Sequence, residues 1–548
     1  MTAGAGGREW AVFTAALWVA VTLVALVLRP PLPVDETRYL AVAWDMWRDG
    51  HYLVPHLHGE PYSHKPPLLF WLMTAGWHVF GVNDWWPRLV APLFGLASLV
   101  LAQRLAFALW PDAPRAAALA PVLLFGAIFW TLFGTLTMFD MMLALFALVA
   151  LLGLVGAARL GGPGGFVLAG VAIGLGILAK GPAILLHVLP AALTAPWWVP
   201  ALAAGVPALD RRRWFLGVAG AVLLGVVIGL AWAIPAGIAG GAEYRAAIFW
   251  GQSAERMVDS FAHARPFWWY AAVLPGLVVP WTVWPPLWRA CKRVPGLLSD
   301  GGMRLGLVWF AFAFVAFSLI SGKQLHYLLP EFPALALIAA RLLAPADAAA
   351  EVDARALDRW LPGGLAALLG AGIMVAAKLP LSERAMETVR EIEPAWGALL
   401  ILAGALVVAF PAAGPVRQAV RLASVSAFAV VAVHLAAKPL LAERYDLRPL
   451  AAQVAALDRD GKAIAYFGKY HGQFDYLGRL KRPIAPIGLE LDDTEKFLKA
   501  HPMGVVIAKY DNLPTETAPL FTFSYRTYIY AAWPAAALVA HPGLGNRR

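Results

Sequence analysis

Apolar residues run along this chain in long blocks separated by short polar joints. About thirteen blocks lie at 9–29, 87–109, 113–133, 136–158, 165–180, 182–200, 214–239, 267–290, 304–321, 326–343, 361–379, 395–412 and 417–439. Most reach or approach the roughly 17–25 residues that carry a helix across a bilayer. Two further stretches, 35–48 and 66–80, alternate apolar and polar positions at helical period and bear Trp, the pattern of helices that lie along an interface. Between them, 49–65 is rich in His, Tyr, Gly and Pro and reads as an ordered loop. After Lys438 the pattern changes, and residues 446–548 contain no spanning block. Ala463 to Phe467 and Val505 to Ala508 read as short strands, 491–500 as a helix and 520–530 as an aromatic strand. The expected fold is a polytopic all-α membrane protein of about thirteen transmembrane helices with a small C-terminal α/β domain, divided at 1–440 and 441–548.

Composition supports that reading. The 548 residues are 60% hydrophobic and only 14% charged, with a mean hydropathy of +0.66. A soluble chain is nearer half apolar and a quarter charged. The net charge of +10 does not imply nucleic acid, because the basic residues are scattered among short loops rather than gathered on one face. With the N-terminus in the cytoplasm, Arg104 and Arg115, Arg159, Arg211 to Arg213, Arg289 with Lys292 and Arg293, and Arg417 with Arg421 all fall on one side, as the positive-inside rule requires. Merging 165–180 with 182–200 across Lys180-Gly181-Pro182 would put the arginine triplet on the wrong side, so two spans are expected there. The loops 30–86, 240–266, 321–326 and 378–394, and the chain after 440, then face outward. The single Cys291 excludes an internal disulfide. The run Trp10 to Leu28 is too long for a usual signal peptide and lacks a clear cleavage site, so it reads as a retained first span.

An ionisable group at or inside the membrane is costly and therefore informative. Asp35-Glu36 follows the first span; a carboxylate there could accept a proton from a hydroxyl or orient it, or could simply favour the start of a helix. Asp140 lies inside the fourth block with no basic residue within a helical turn, so it needs a polar cavity or a partner from elsewhere in the fold. Lys65, in His64-Lys65-Pro66-Pro67, sits before a helix start and suits a phosphate or carboxylate. Arg245, Arg256, His263 and Arg265 in the loop 240–266 could clamp a phosphate, and Lys323 and Tyr327 link two spans on the same side. His56, His58, His64 and His263 could hold a metal with Glu36 or Glu60, although no dense ligand motif is present. Gly161 to Gly176 holds seven glycines; it follows no strand, which favours close helix packing over nucleotide binding.

These motifs together resemble the C-type (GT-C) glycosyltransferases, specifically the bacterial family of lipid A aminoarabinose transferases and their protein-mannosyltransferase-like relatives. The resemblance rests on Pro33-Val34-Asp35-Glu36-Thr37-Arg38-Tyr39, Gly59-Glu60-Pro61-Tyr62-Ser63-His64-Lys65-Pro66-Pro67, Trp85-Trp86-Pro87-Arg88, Leu178-Ala179-Lys180-Gly181-Pro182 and His326-Tyr327-Leu328-Leu329-Pro330-Glu331-Phe332-Pro333-Ala334. It implies a polyprenyl-phosphate sugar donor, usually undecaprenyl phosphate, and lipid A or another envelope acceptor, met at the outer leaflet of a bacterial inner membrane. Asp35 matches the acceptor-side acid, Asp140 the second acid of the cavity and Lys65 the donor-phosphate contact, with Arg256 and Arg265 as further phosphate contacts. Glu36, Tyr39, Tyr62, Lys323 and Tyr327 are implied cavity contacts. No cofactor is required; a divalent metal on His64 and His263 is the expectation to test. In the aminoarabinose transferases the residue before the lysine is commonly Glu, and here it is His64. Transfer to a protein or another glycan is the neighbouring reading. From another class, a lipid or sugar transporter would also carry intramembrane acids, but the chain shows no inverted repeat and its polar residues cluster on one side.

Overall fold

The computed structural model describes residues 3–202, 205–251, 264–344, 355–379, 389–490 and 492–545. The chain divides into two compact units. The first comprises Met1–Val27, Ser63–Leu69 and Asp84–Ala436, and the second Leu28–Tyr62, Phe70–Asn83 and Ala437–Arg548. The second unit thus joins most of the first polar loop to the C-terminal region, a grouping that a single boundary at 440 does not describe.

The first, membrane unit is helical. Its helices begin with α1 (Ala3–Leu28); after α2 (Asp35–Asp49) and α3 (Leu68–Phe80), which lie wholly and mostly in the second unit, come α4 (Trp85–Leu109), α5 (Pro114–Gly126), α6 (Ile128–Phe133), α7 (Asp140–Leu160), α8 (Gly164–Lys180) and α9 (Ile184–Leu193). Among the described residues, eight helical stretches are long and apolar enough to cross a membrane. The blocks at 113–133 and 267–290 are broken into shorter helices: Ala127 turns extended between α5 and α6, and Val278 to Trp284 separates Trp269–Leu277 from Pro285–Cys291. Each break carries prolines or leaves carbonyls that must be satisfied away from water. Indole N–H groups do part of this. Trp281 donates to Leu123 O at 2.7 Å, and Trp198 and Trp214 donate to Ala191 O and Ala192 O at 2.7 and 2.8 Å. These carbonyls lie in the last turns of α5 and α9, where no intrahelical donor remains.

The joint Lys180-Gly181-Pro182 reverses the chain. Gly181 adopts φ +73°, and a Cβ at Gly176 would lie 2.6 Å from Ile184 Cγ1. In one continuous helix those residues would be about 12 Å apart along the axis, so α9 folds back on α8. The glycine-rich stretch packs as expected: a Cβ on Gly165 would meet Gly153 O of α7 at 2.3 Å. Only hydrogen fits there, and α7 and α8 approach backbone to backbone.

The second unit holds α2 (Asp35–Asp49), a two-stranded ribbon of β1 (His56–Leu57) and β2 (Glu60–Pro61), α3 (Leu68–Phe80, of which Phe70 onward lies here) and a five-stranded sheet. Asp35 and Glu36 occupy the first turn of α2, and Gly50 at φ +73° ends it, its N–H bonding Met46 O. The sheet runs β4 (Ala485–Ile487), β3 (Ile464–Phe467), β5 (Val505–Tyr510), β7 (Tyr528–Pro534), β6 (Phe521–Tyr525). β3 is parallel to β4 and β5; β5 and β6 are antiparallel to β7. Central β5 is almost wholly buried. Ile507, Tyr530 and Phe474 with Leu450 and Val454 of the helix Arg448–Arg459 fill one face; Val506, Trp533 and Leu538 fill the other. The expected aromatic strand at 520–530 is a hairpin, turning at Arg526 with φ +55°, and the three-residue β4 was not anticipated.

Candidate active site

Asp140 opens α7, and Lys180 closes α8, so each charge sits at the helix end whose dipole favours it. Because α7 and α8 pack closely along their glycines, Lys180 Nζ reaches Asp140 Oδ1 at 2.5 Å, with both side chains largely buried. This is the partner that Asp140 demands from elsewhere in the fold, and at 40 residues' separation no local spacing identifies it. The Lys180 ammonium also lies 4.9 Å from the centre of the Tyr327 ring, and Lys65 lies 5.7 Å from the Phe139 ring, next to Asp140. Lys65 and Lys180 therefore both act on the Asp140 carboxylate.

A cavity of about 440 Å³ opens beside this group. Ser63, His64, Lys65, Lys180, His187 and Tyr327 supply its polar lining; Leu143, Leu186, Trp232, Ile248, Phe317 and Ile320 make it apolar elsewhere. His187 is buried, and its Nδ1 meets Glu331 Oε1 at 2.5 Å. Its Nε2 has no hydrogen-bond partner among the described residues. Lys180, His187 and Glu331 were not singled out for a role from sequence. The available signal was the same one that marked Asp140: an ionisable residue inside or closing an apolar block.

The other expected contacts divide. Lys323 is buried, but its ammonium donates to the carbonyls of Arg265, at 3.0 Å, and Ile320; it ties the 264–322 bridge together and does not line the cavity. Arg265 has an exposed side chain and bonds Ser321 O through its backbone N–H. Arg256 and His263 lie outside the described residues. No group of three or more His, Cys, Asp or Glu side chains among the described residues is arranged to hold a metal ion.

In the second unit, the acidic pair that begins α2 splits into two environments. Glu36 is buried, bonded to the Arg29 guanidinium and to Leu32 N–H at 2.8 Å. Asp35 pairs with Arg38 one turn on and keeps about half of its side chain open to solvent. Tyr39 and Tyr62 are buried against Phe70, with ring centres 6.4 and 6.2 Å from it. Asp35, Arg38, Lys469 and Lys509 all bear electrostatically on His471, whose pKa burial and the surrounding cations hold down at about 4. Asp45, deeper in α2, accepts from Gly59 N–H at 3.1 Å and lies 3.1 Å from Arg48. Asp475 accepts from Tyr470 OH at 2.7 Å. Burial pushes Asp45 up to about 6, and burial together with the Asp45 charge pushes Asp475 up to about 7.

Residues 64–235 match the family model described as dolichyl-phosphate-mannose-protein mannosyltransferase. The chain is 30% identical over 335 residues to the undecaprenyl phosphate-alpha-4-amino-4-deoxy-L-arabinose arabinosyl transferase of Edwardsiella ictaluri, covering 60% of this chain and 58% of that protein. It is 28% identical over 386 residues to the same-named protein of Serratia proteamaculans, covering 68% and 66%. It therefore spans somewhat more than half the length of the curated relatives it matches. Among solved structures, ArnT from Cupriavidus metallidurans bound to undecaprenyl phosphate superposes with a TM-score of 0.72 at 19% identity, over 96% of this chain and 98% of that one.

Proposed function

We propose, for a multi-pass membrane protein that carries the GT-C glycosyltransferase fold, an inverting transferase that moves a sugar from undecaprenyl phosphate to lipid A or another envelope acceptor. The sugar is 4-amino-4-deoxy-L-arabinose, the one named for the relatives. The N-terminus lies in the cytoplasm of a bacterial inner membrane and the sheet-bearing unit in the periplasm, the orientation that the arginine-bearing joints favour.

The observation that carries this reading is the cavity of the membrane unit. Its chemistry is that of an amphiphile site: Lys65 and Lys180 offer positive charge at one part, and the leucines, isoleucines and aromatics offer a surface for a polyprenyl chain. In this reading Lys65 holds the donor phosphate and stabilises the charge that develops as the anomeric C–O bond breaks. Asp140 aims the Lys180 side chain and cannot serve as a free base while it is paired. Asp35, half exposed at the start of α2, orients the acceptor; if the acceptor is a phosphate, no deprotonation is needed. Glu36, held by Arg29, fixes the entry to α2. Arg256 and Arg265 are the further candidates for the phosphate, Tyr327 for a cavity contact, and the pair His64 and His263 for a metal.

The test is transfer of label from a panel of undecaprenyl-phosphate sugars to envelope lipid, with purified full-length chain. Wild type is expected to transfer aminoarabinose, Asp35→Asn to bind donor but lose transfer at least 100-fold, and Lys65→Ala to lose donor binding. Donor binding and transfer unchanged in both variants would sink the assignment.

A further inference from the structure

The segment that carries Tyr327 is an uncommon piece of backbone. Leu325–Glu331 is a 3-10 helix of seven residues with Pro330 inside it, and that geometry rarely extends beyond three or four residues. Such a run needs holding from outside. At its start Tyr270 Oη donates to Gln324 O at 2.9 Å. At its end Glu331 Oε1 meets His187 Nδ1 of α9 at 2.5 Å. Tyr327, which reaches the cavity, lies between the two anchors.

A second route links the same pair to Tyr327. The Phe317 ring stands 5.6 Å from the His187 ring and 5.9 Å from the Tyr327 ring, centre to centre, contacts that favour particular ring orientations. The Lys180 ammonium lies 4.9 Å from the centre of the Tyr327 ring, and its charge bears on Glu331 as well. His187 gives that carboxylate a partner of its own, which leaves Lys180 to Asp140 and the cavity. The side chains of His187 and Glu331 have no accessible surface. Neither therefore meets a ligand, and whatever they do passes through Tyr327 and Lys180.

Stability alone is a poor account of the pair. His187 Nε2 and Glu331 Oε2 have no hydrogen-bond partner among the described residues, and an unmet buried polar atom costs stability. Replacing a buried ionisable pair by apolar residues of similar volume is often neutral or stabilising. Geometry is what this pair adds. We propose that His187 and Glu331 are positioning residues for the donor phosphate: their bond fixes the turn that carries Tyr327, and with it the seat of the Lys180 ammonium. The inference rests on the reading of this cavity as the donor site.

The experiment measures binding of undecaprenyl phosphate to the purified full-length chain, with Tm on the same samples. His187→Phe with Glu331→Met removes the bond and keeps the apolar volume. That variant is expected to hold Tm at or above the wild-type value while binding weakens roughly 10-fold, a loss of the size that a displaced contact produces. In a Tyr327→Ala background the same two changes should cost less than about twofold more, because sites that act through one another are not additive. Glu331→Gln keeps an acceptor for the histidine N–H and should retain most of the binding. If the double variant does not fold, His187→Asn, too short to hold Glu331 in place, serves with the same expectations for binding. Binding unchanged in the variants, or a full 10-fold loss that persists without the Tyr327 side chain, would overturn the proposal. Failure of wild type to bind would overturn the donor-site reading and this inference together; wild-type binding with unaffected variants overturns the inference alone.

Discussion

Asp140 and Asp475 are both carboxylates with almost no exposure to solvent, yet they keep different company. In the membrane unit Asp140 has its own lysine, and the buried Glu331 has its own histidine. In the sheet-bearing unit Asp475 has, among the described residues, only a tyrosine hydroxyl as hydrogen-bond donor, and it feels a second carboxylate, Asp45, with Arg48 acting on both. The difference follows from the solvent. Inside a bilayer no water can screen a stray charge, so each acid is matched by a cation or a proton. A domain beside water can keep a carboxyl neutral by holding its proton, because that proton exchanges freely with bulk.

The sharpest way to break the comparison is to remove one partner from the membrane pair. Lys180→Met leaves Asp140 buried without its cation and should cost about 3–5 kcal/mol, read as unfolding of the detergent-solubilised protein. Lys180→Met combined with Asp140→Leu should recover more than half of that loss. Recovery of stability without recovery of the proposed sugar transfer would show that the pair serves function; a double variant as unstable as the single would show that the charges hold the helices together by contacts beyond their own neutralisation.

The acid pair of the second unit predicts a pH dependence of opposite origin. Asp45 and Asp475 titrate at about 6 and about 7 in the folded protein, above the ordinary value near 4. The folded state therefore binds more protons than the unfolded state between those limits. The stability this contributes is fully present below about pH 4 and is lost as pH rises through 6 to 7. His58 and His471, each held down at about 4, trend the other way, so wild type alone is a mixed readout. The difference between wild type and Asp475→Asn isolates the acids: the variant should gain relative stability from pH 5 to pH 8, by on the order of 1–2 kcal/mol. A difference that stays flat across that range would remove the shared-proton account. At the weak end, Lys499 and Glu495 form an exposed i,i+4 pair on the helix Asp493–Ala500; Lys499→Met should leave the melting curve unchanged, and a measurable drop would point to a role for that helix beyond the fold.

Much of the architecture was legible because it is written locally. The apolar blocks, the start of α2 at Asp35, the helix at 491–500 and the strands at Ala463 and Val505 each follow from composition and period within a short window. The motifs around Asp35, Lys65 and Asp140 were legible as chemistry, since an ionisable residue at a membrane boundary stands out against its apolar neighbours. Other features were hidden. The Lys180 that answers Asp140 lies 40 residues away in the chain, and the Glu331 that meets His187 lies 144 residues away. The hairpin at Arg526 looked like one aromatic strand because both of its arms are aromatic, and β4 is too short for any period to register.

The sequence by itself determined that this chain crosses a membrane many times, that a small α/β region follows, and that acids and a lysine flank the first polar loop. Those properties depend on hydrophobicity and on neighbours a few residues apart. Only the tertiary structure decided that α9 folds back on α8, that Lys180 pairs with Asp140, that Lys323 is taken up by backbone carbonyls, and that most of the first polar loop joins the C-terminal sheet in one unit. Each of these depends on which distant surfaces pack together, and packing is settled by shape and by the need to satisfy every buried polar atom at once, which no short window of residues contains.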